Sequence, residues 1–376
     1  MSLSDRVREY TKQLNQKGLL RTRRITDSYN SPLVHFDSND YLSLIQDKRI
    51  AQAYQQGYAL YPVGSGASMV LSGYHPNHRA LERAFAELLG VDECILFSSG
   101  YAANLALTAL LGSIKAHCLI DKSVHASVYD GLALSQVHYT RYRHNDMTDL
   151  ANKLTSISDP TALLTEGIFS MSGQIAPLAA ISSLCSTTIV DEAHSFGVIG
   201  TQGKGAVDYH GLGQKEVPLR IIAFGKAFAA QGALIAGQKD WINALLQAGR
   251  SVIYSTGISP ALSYGLLKTL DFVIDAEDRR VKLGQLIQLF KEEIKNSPLS
   301  WINSNTAIQQ LQLGCPYKAQ YYDQELQKLG FSCSATRAPT VSVKATGLRV
   351  IINYRHEPEQ IQQLFEQLHT IYERTY

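Results

Sequence analysis

TTIVDEAH, residues 187–194, and LRIIAFGK, residues 219–226, decide how the chain is read. Each begins as a short run of apolar, often β-branched residues and ends on residues capable of chemistry: Asp191 and His194 in the first, Lys226 in the second. Runs of this length without polar alternation read as strands buried on both faces, the kind found in parallel sheets. In an open parallel sheet, ligands bind beyond the carboxyl ends of the strands, so Asp191 is aimed into a crevice rather than at bulk solvent.

Similar runs occur on either side: CILF at 94–97, CLI at 118–120, ALLTE at 162–166 and GALIAG at 232–237. Between them, Tyr101–Leu111 and Val124–Leu134 have helical periodicity and follow small or polar residues able to start a helix. The alternation predicts an α/β fold with a mainly parallel central sheet and helices on both faces. After Ser259 and Pro260 comes a helix-rich span of about 261–296, then short strands near 307–313 and 348–353, and a last helix from Pro358. That part reads as a smaller α+β C-terminal lobe. Residues 1 to about 20 read as an amphipathic helix with Leu3, Val7, Tyr10 and Leu14 on one face. The expected domains are an N-terminal helix and arm at 1–50, a large α/β domain at 51–262 and a small domain at 263–376.

Composition narrows the partners. The chain has 376 residues, 45% hydrophobic and 18% charged, with a net charge of +2. That balance suits a globular protein and is too mild for nucleic acid as a general partner. The five cysteines form no CxxC pair and no His/Cys cluster at metal spacing, which predicts reduced thiols, no metal site and a cytoplasmic location. No apolar run is long enough to span a membrane, and the first residues lack the apolar core of a secretory signal. Arg6, Arg8, Lys12, Lys17, Arg21, Arg23 and Arg24 stand against only Asp5 and Glu9 in that segment. A mitochondrial presequence has a similar charge pattern, but the early acids and the continuous lead into folded sequence fit a native helix better.

Three local signals carry chemistry. Asp191 at a strand end seeks a cationic partner. Lys226, held between two apolar runs, loses hydration, which favours the neutral amine that attacks an aldehyde; Gly225 lets the backbone approach a ligand. Ser98-Ser99-Gly100-Tyr101, where a strand passes into a helix, offers backbone N–H groups and a helix dipole to a phosphate. Each has a plain reading by itself: an acid capping a turn, a solvated loop lysine, an ordinary glycine turn. Together, in this order, they are the parts that pyridoxal 5'-phosphate requires. The aspartate keeps the pyridine nitrogen protonated, and the lysine holds and releases the cofactor.

Motifs along nearly the whole chain resemble the α-oxoamine synthases: SNDYLSL (38–44), GSGAS (64–68), LSGYHPNHRALE (71–82), FSSGYAAN (97–104), HAS (125–127), TEGIFSMSG (165–173), VDEAHSFGVIGTQGKG (190–205), FGK (224–226) and IYST (253–256). The resemblance implies pyridoxal-phosphate fold type I, the aspartate-aminotransferase-like architecture, and condensation of an amino acid with an acyl thioester with loss of carbon dioxide. It implies catalytic roles for Lys226, His125, Asp191 and His194. His125 would stack on the cofactor ring, and Asp191 and His194 would touch its nitrogen and its 3-hydroxyl. Gly100 and Tyr101 would cradle the phosphate, with Ser170 as a further contact. Ser255 or Thr256 would be lent to the phosphate by the other subunit of a homodimer with shared active sites.

Arg349 matches the family's arginine for the amino-acid carboxylate, and Arg21, Asn39 and Arg337 are further candidates for substrate contacts. One position departs from the pattern: where the family usually has a phosphate-contacting threonine three residues before the lysine, this chain has Ala223. Loss of one such hydrogen bond costs on the order of 1 kcal/mol of cofactor affinity. Ala227 and Gln231 also stand where glycine-like positions are common.

Within the family, the short length, LLRTRR (19–24), IYSTGISPA (253–261), RAPTV (337–341) and GLRVIINYRHEPEQI (347–361) are most similar to the branch that joins L-alanine to a pimeloyl thioester on coenzyme A or an acyl-carrier protein. A glycine-using sister enzyme and a non-catalytic partner subunit are the alternatives; the joint presence of Lys226, Asp191, His194 and His125 speaks against the second. A dinucleotide oxidoreductase is disfavoured because no GxGxxG follows an early strand.

Overall fold

The apolar runs become a seven-stranded sheet: β1 (Glu93–Phe97), β2 (His117–Asp121), β3 (Tyr139–Tyr142), β4 (Thr161–Glu166), β5 (Thr188–Asp191), β6 (Leu219–Ala223) and β7 (Ala233–Gly237). Their order across the sheet is β1-β7-β6-β5-β4-β2-β3. β2 to β6 are parallel; β7 runs antiparallel to both β6 and β1. A parallel crossover needs a dozen or more residues, and only residues 224–232 separate β6 from β7, so the connection has to reverse the chain. The computed structural model describes residues 1–17, 19–21, 23, 25, 31–338 and 341–375; Arg24 lies outside the described residues, as do parts of the LLRTRR and RAPTV stretches.

Every strand expected from an apolar run is present. The run at 187–193 stops as a strand at Asp191, because Glu192 and Ala193 already turn. β3 has no counterpart among the expected strands: YTRY sits at the sheet edge with only Tyr142 buried, so it lacks the apolar run that marks its neighbours.

Alternate residues of the strands feed the two faces of the sheet. Cys118, Ile120, Ala162, Leu164, Ile189, Leu219, Ile221, Ala233 and Ile235 pack in one core with Ala103, Ala106, Leu107, Leu110 and Leu111 of helix α1 (Gly100–Ser113). Leu119, Leu163 and Val190 pack on the other face with Phe169, Leu178, Ile181 and Val207. β1 is an edge strand, and the backbone N–H of Leu96 donates to the Glu82 carboxylate from the helix Pro76–Leu89. Burial, only partly offset by the Tyr74 hydroxyl and that N–H, pushes the Glu82 carboxyl up to about 7.

These elements belong to a compact unit of residues 39–170 and 174–282; a second comprises 1–38, 171–173 and 283–376. The division differs from the expected boundaries at 50 and 262. The helix Pro260–Ile274 joins the larger unit because it packs on the helices Lys48–Leu60 and Pro76–Leu89. The N-terminal arm joins the smaller unit, where Val34–His35 pairs in parallel with Phe331–Ser332.

In the smaller unit, the strand Gly347–Ile351 lies between Ser334–Thr336 and Ile308–Gln312 in an antiparallel sheet. The C-terminal helix Pro358–Thr375 buries Ile361, Leu364, Phe365, Leu368 and Ile371. The expected amphipathic helix is present as Leu3–Gln16 and buries none of its residues within the chain. Among the described residues no helix is long and apolar enough to cross a membrane. None of the five cysteines is paired; four are buried and Cys315 is half-buried.

Where the helices Lys48–Leu60 and Pro260–Ile274 cross, Gly57 leaves no space: a Cβ there would lie 2.5 Å from the Ala261 carbonyl oxygen. Helix propensity favours alanine over glycine by up to about 1 kcal/mol, whereas overpacking against backbone costs about 1–3 kcal/mol. Gly57→Ala is therefore expected to lower the stability of the larger unit in urea unfolding, although alanine is the better helix former.

Candidate active site

The parallel order brings the carboxyl ends of β4 and β5 side by side, and a cavity of about 150 Å³ opens beyond them. Its lining includes Gly100, Tyr101, His125, Ser170, Asp191, His194 and Lys226. Seven of the expected site residues thus meet on one surface. Ala223 also lines the cavity, presenting a methyl group where the family pattern has a hydroxyl.

Asp191 ends β5 and is 9% exposed. Its Oδ1 accepts from the backbone N–H of Ala193 (3.0 Å), and its Oδ2 accepts from the Asn104 side-chain amide (2.9 Å). The second N–H of that amide donates to Ser127 Oγ at 3.1 Å. The Ser127 hydroxyl in turn faces His125 Nδ1 at 2.8 Å, and the backbone N–H of Ser127 donates to the same nitrogen. His125 Nδ1 is therefore an acceptor, which puts the ring proton on Nε2. His125 caps the helix α2 (Ala126–Leu134) and is exposed. Desolvation by the surrounding protein and the nearby Lys226 charge nevertheless hold its pKa below the ordinary imidazole range, against the opposing pull of Asp191.

His194 is 7% exposed, and its Nδ1 lies 2.6 Å from the hydroxyl of the buried Tyr41. That hydroxyl also lies 3.3 Å from Asn39 Oδ1, which ties one expected substrate contact to the site within the same unit. Lys226 is half-buried, in a loop closed by Phe224 N to Gly232 O (2.9 Å) and Ala230 N to Phe224 O (2.9 Å). At the opposite end, Ser99 caps α1 through its hydroxyl, which accepts from Ala102 N at 3.1 Å. The first N–H groups of the helix, those of Gly100 and Tyr101, have no partner within it.

The donor set fits pyridoxal 5'-phosphate. A buried, donor-supported carboxylate, a lysine and a helix N-terminus share one cavity, and Gly100 keeps the phosphate end open: a Cβ there would come within 3.3 Å of Ala223 Cβ. Ser255 and Thr256 do not reach this cavity; both are exposed and line a separate crevice of about 10 Å³ with Ser98 and Gly257.

Arg21, Arg337 and Arg349 lie in the smaller unit. Arg21 is exposed, Arg337 donates to the Leu20 carbonyl at 3.0 Å, and Arg349 is buried on the central strand Gly347–Ile351. Asn104, Ser127, Tyr41 and Glu166 were not singled out by residue type, although all but Tyr41 line the cavity. Asn104 and Glu166 lie inside the quoted motifs, and that membership was the signal the sequence held for them. Among the described residues no group of His, Cys, Asp and Glu side chains could hold a metal ion.

Fold and site together define a pyridoxal-phosphate enzyme of fold type I. Within that class the chain belongs to the aminotransferase class I and II family, whose profile matches residues 31–368. It is 38% identical to the 8-amino-7-oxononanoate synthase of Pseudomonas fluorescens strain Pf-5 over 342 residues, which is 90% of this chain and 87% of that one. It is 37% identical to the enzyme of the same name from Hahella chejuensis over 94% of this chain and 93% of the other. Among solved structures, the 8-amino-7-oxononanoate synthase of Francisella tularensis matches at a TM-score of 0.82 and 30% identity, covering 93% of this chain and 100% of that one. A Sphingomonas wittichii serine palmitoyltransferase shares the fold at a TM-score of 0.89 and 23% identity, covering 98% and 96%.

Removing the Asn104 amide would leave Asp191 Oδ2 and Ser127 short of a buried donor, a loss of about 1–3 kcal/mol. Asn104→Ala should therefore weaken pyridoxal-phosphate binding by about tenfold or more, read by titrating cofactor-free protein. An unchanged dissociation constant would mean that Asp191 is held well enough by Ala193 alone.

Proposed function

We propose that the chain is an 8-amino-7-oxononanoate synthase, which joins L-alanine to a pimeloyl thioester with loss of carbon dioxide and release of the thiol. The observation that carries this reading is Asp191, a nearly buried carboxylate fixed by Asn104 and Ala193 and facing the same cavity as Lys226. The relatives of that name, matched over about nine-tenths of both chains, support the reading, and the substrates are those the family resemblance implies.

Bound pyridoxal 5'-phosphate supplies an electron sink for the charge left on alanine when its Cα–H bond breaks. Asp191, held by two donors, would keep a proton on the ring nitrogen. Lys226 anchors the cofactor at rest. Its amine, when free, would remove the Cα proton of alanine as a general base and later return a proton to the same carbon. His125, neutral with its proton on Nε2, would donate to the charge that develops on the acyl oxygen as the alanine Cα attacks the thioester carbonyl, before the thiolate leaves. Gly100 and Tyr101 present backbone N–H groups to the phosphate, and Ser170 and His194 are further cofactor contacts. The roles of Arg349 toward the alanine carboxylate, and of Arg21, Asn39 and Arg337 toward substrate, rest on the family resemblance alone.

The working form is a homodimer. Tyr58, Leu60, Val63, Val70, Leu71, Tyr74 and Tyr254 leave large apolar side chains exposed on the larger unit, which supports a covered face there. Ser255 and Thr256, outside the cavity of their own chain, are then available to the partner's phosphate. The unpaired cysteines suit a cytoplasmic location.

Two experiments test the reading. Borohydride reduction of the loaded protein should fix the cofactor to Lys226 by peptide mass. Product should form from L-alanine and pimeloyl thioester, and Lys226→Ala should lower the rate by about 10³-fold. Absence of any Lys226-linked cofactor would point to a non-catalytic partner subunit, and a product formed only from glycine would move the assignment to a sister enzyme.

The second concerns the donor. The exposed helix Leu3–Gln16 carries Arg6, Arg8 and Lys12, with Arg8 paired to Asp5, and this basic segment suits an acidic carrier protein. Charge reversal at those three positions should raise KM for a carrier-protein thioester by about tenfold and flatten its salt dependence. No change in either would exclude docking at that helix.

A further inference from the structure

Glu166 is the last residue of β4, and its register partner on β5 is Asp191. Neighbouring strands lie about 4.8 Å apart, and both side chains line the same cavity. Glu166 is 3% exposed. Its Oε2 accepts from the Ser170 backbone N–H at 3.0 Å, whereas Oε1 is buried and makes no well-formed hydrogen bond among the described residues, the backbone N–H of His125 exerting only a weak pull on the carboxyl. Asp191, by contrast, has a donor on each oxygen.

The charged and titratable groups around Glu166 come from several elements. Asp191 and His194 follow from β5, His125 stands at the start of α2, and Lys226 lies in the loop after β6. On the β2 side, Asp121 is engaged with His144 at 3.0 Å. Two carboxyl groups side by side in a buried pocket do not both ionise readily, and the charge settles on the one with more donors.

We propose that Glu166 is a positioning residue that holds a proton in the resting enzyme, so that the Glu166–Asp191 pair carries a single negative charge and Asp191 keeps it. Glu166 acts through Asp191: by staying neutral it leaves one anion, at a fixed place, to face the cofactor's ring nitrogen, and it avoids a second anion that would draw Lys226 toward its protonated form. Burial first, and then the Asp191 charge, push the Glu166 carboxyl up to about 8, against the smaller opposing effects of the Ser170 N–H, Lys226 and the His125 backbone N–H. The functional half of this inference rests on the pyridoxal-phosphate reading; the protonation itself does not.

The test therefore uses both cofactor-free and loaded protein. At neutral pH, the infrared difference between wild type and Glu166→Gln should contain the carbonyl stretch of one protonated carboxyl in both forms. Glu82, another raised carboxyl, is common to both proteins and cancels.

The stability profile gives a second readout. Between the ordinary carboxyl pKa and about 8, the folded protein binds one proton more at Glu166 than the unfolded chain does. Wild type must then lose stability relative to Glu166→Gln as pH rises through that window, and the difference must level off above it. No protonated-carboxyl signal lost in the variant, together with a pH-independent stability difference, would overturn the proposal.

If Glu166→Gln does not fold, Asp191→Asn serves instead. Removing the neighbouring charge should make the carboxyl signal titrate at lower pH, and an unmoved titration is equally fatal. Failure of the cofactor reading looks different: Lys226 carries no cofactor while the Glu166 signal persists.

Discussion

A carboxylate that takes no part in the chemistry holds the site in place. Glu192 follows Asp191 directly and is completely buried. It accepts from the backbone N–H groups of Ala206 (2.7 Å) and Val207 (3.0 Å) and from the Ser195 hydroxyl, with the Arg220 guanidinium 3.8 Å away. Burial raises its pKa, and Arg220 is the largest opposing influence. Room for it is left by glycines: a Cβ on Gly167 or Gly205 would come within 2.8 Å or less of its side chain. Because this anchor fixes the turn after β5, Asp191 and His194 are carried on a rigid piece of backbone.

From that anchor the electrostatics of the site follow in order. Asp191 is a nearly buried carboxyl, and its oxygens demand donors. Asn104 supplies one and uses its other N–H on Ser127, and Ser127 fixes the tautomer of His125. One amide therefore links the aspartate, from a strand end, to the histidine, from a helix cap. Gly197 has φ +85, and a Cβ there would sit 2.7 Å from Ala227 Cβ, so the loop after Asp191 and the loop after Lys226 are packed without slack.

Much of this was legible in the sequence, and the limits have physical causes. Strands buried on both faces announce themselves as apolar runs, so β4 to β7 and the placement of Asp191 and Lys226 near their ends could be read directly. β3, half exposed at the sheet edge, has no such run. The reversal of β7 was hidden in the length of a loop rather than in any residue type. Asn104, Tyr41 and Glu166 matter because of what surrounds them, and burial of a polar side chain has no signature in its own letter. Glu192 and Glu82 lie inside the quoted motifs, yet they accept from backbone N–H groups and nearby hydroxyls that brace the fold. The division into units differed because the arm at Val34–His35 pairs with a strand from the far end of the chain.

The pairing of β1 with β7 has a consequence for how the protein is made. Glu93 is opposite Gly237, so the first strand of the sheet waits for the last before it has any neighbour. Long-range pairing of this kind slows folding, because a large loop must close before the contact repays it. On the ribosome β1 emerges early and remains without its strand partner while β2 to β6 are made. The loop bearing Lys226 precedes β7 directly, so the cofactor pocket is completed at the same moment as the sheet. Cofactor capture is therefore expected to follow closure of the sheet rather than to precede it.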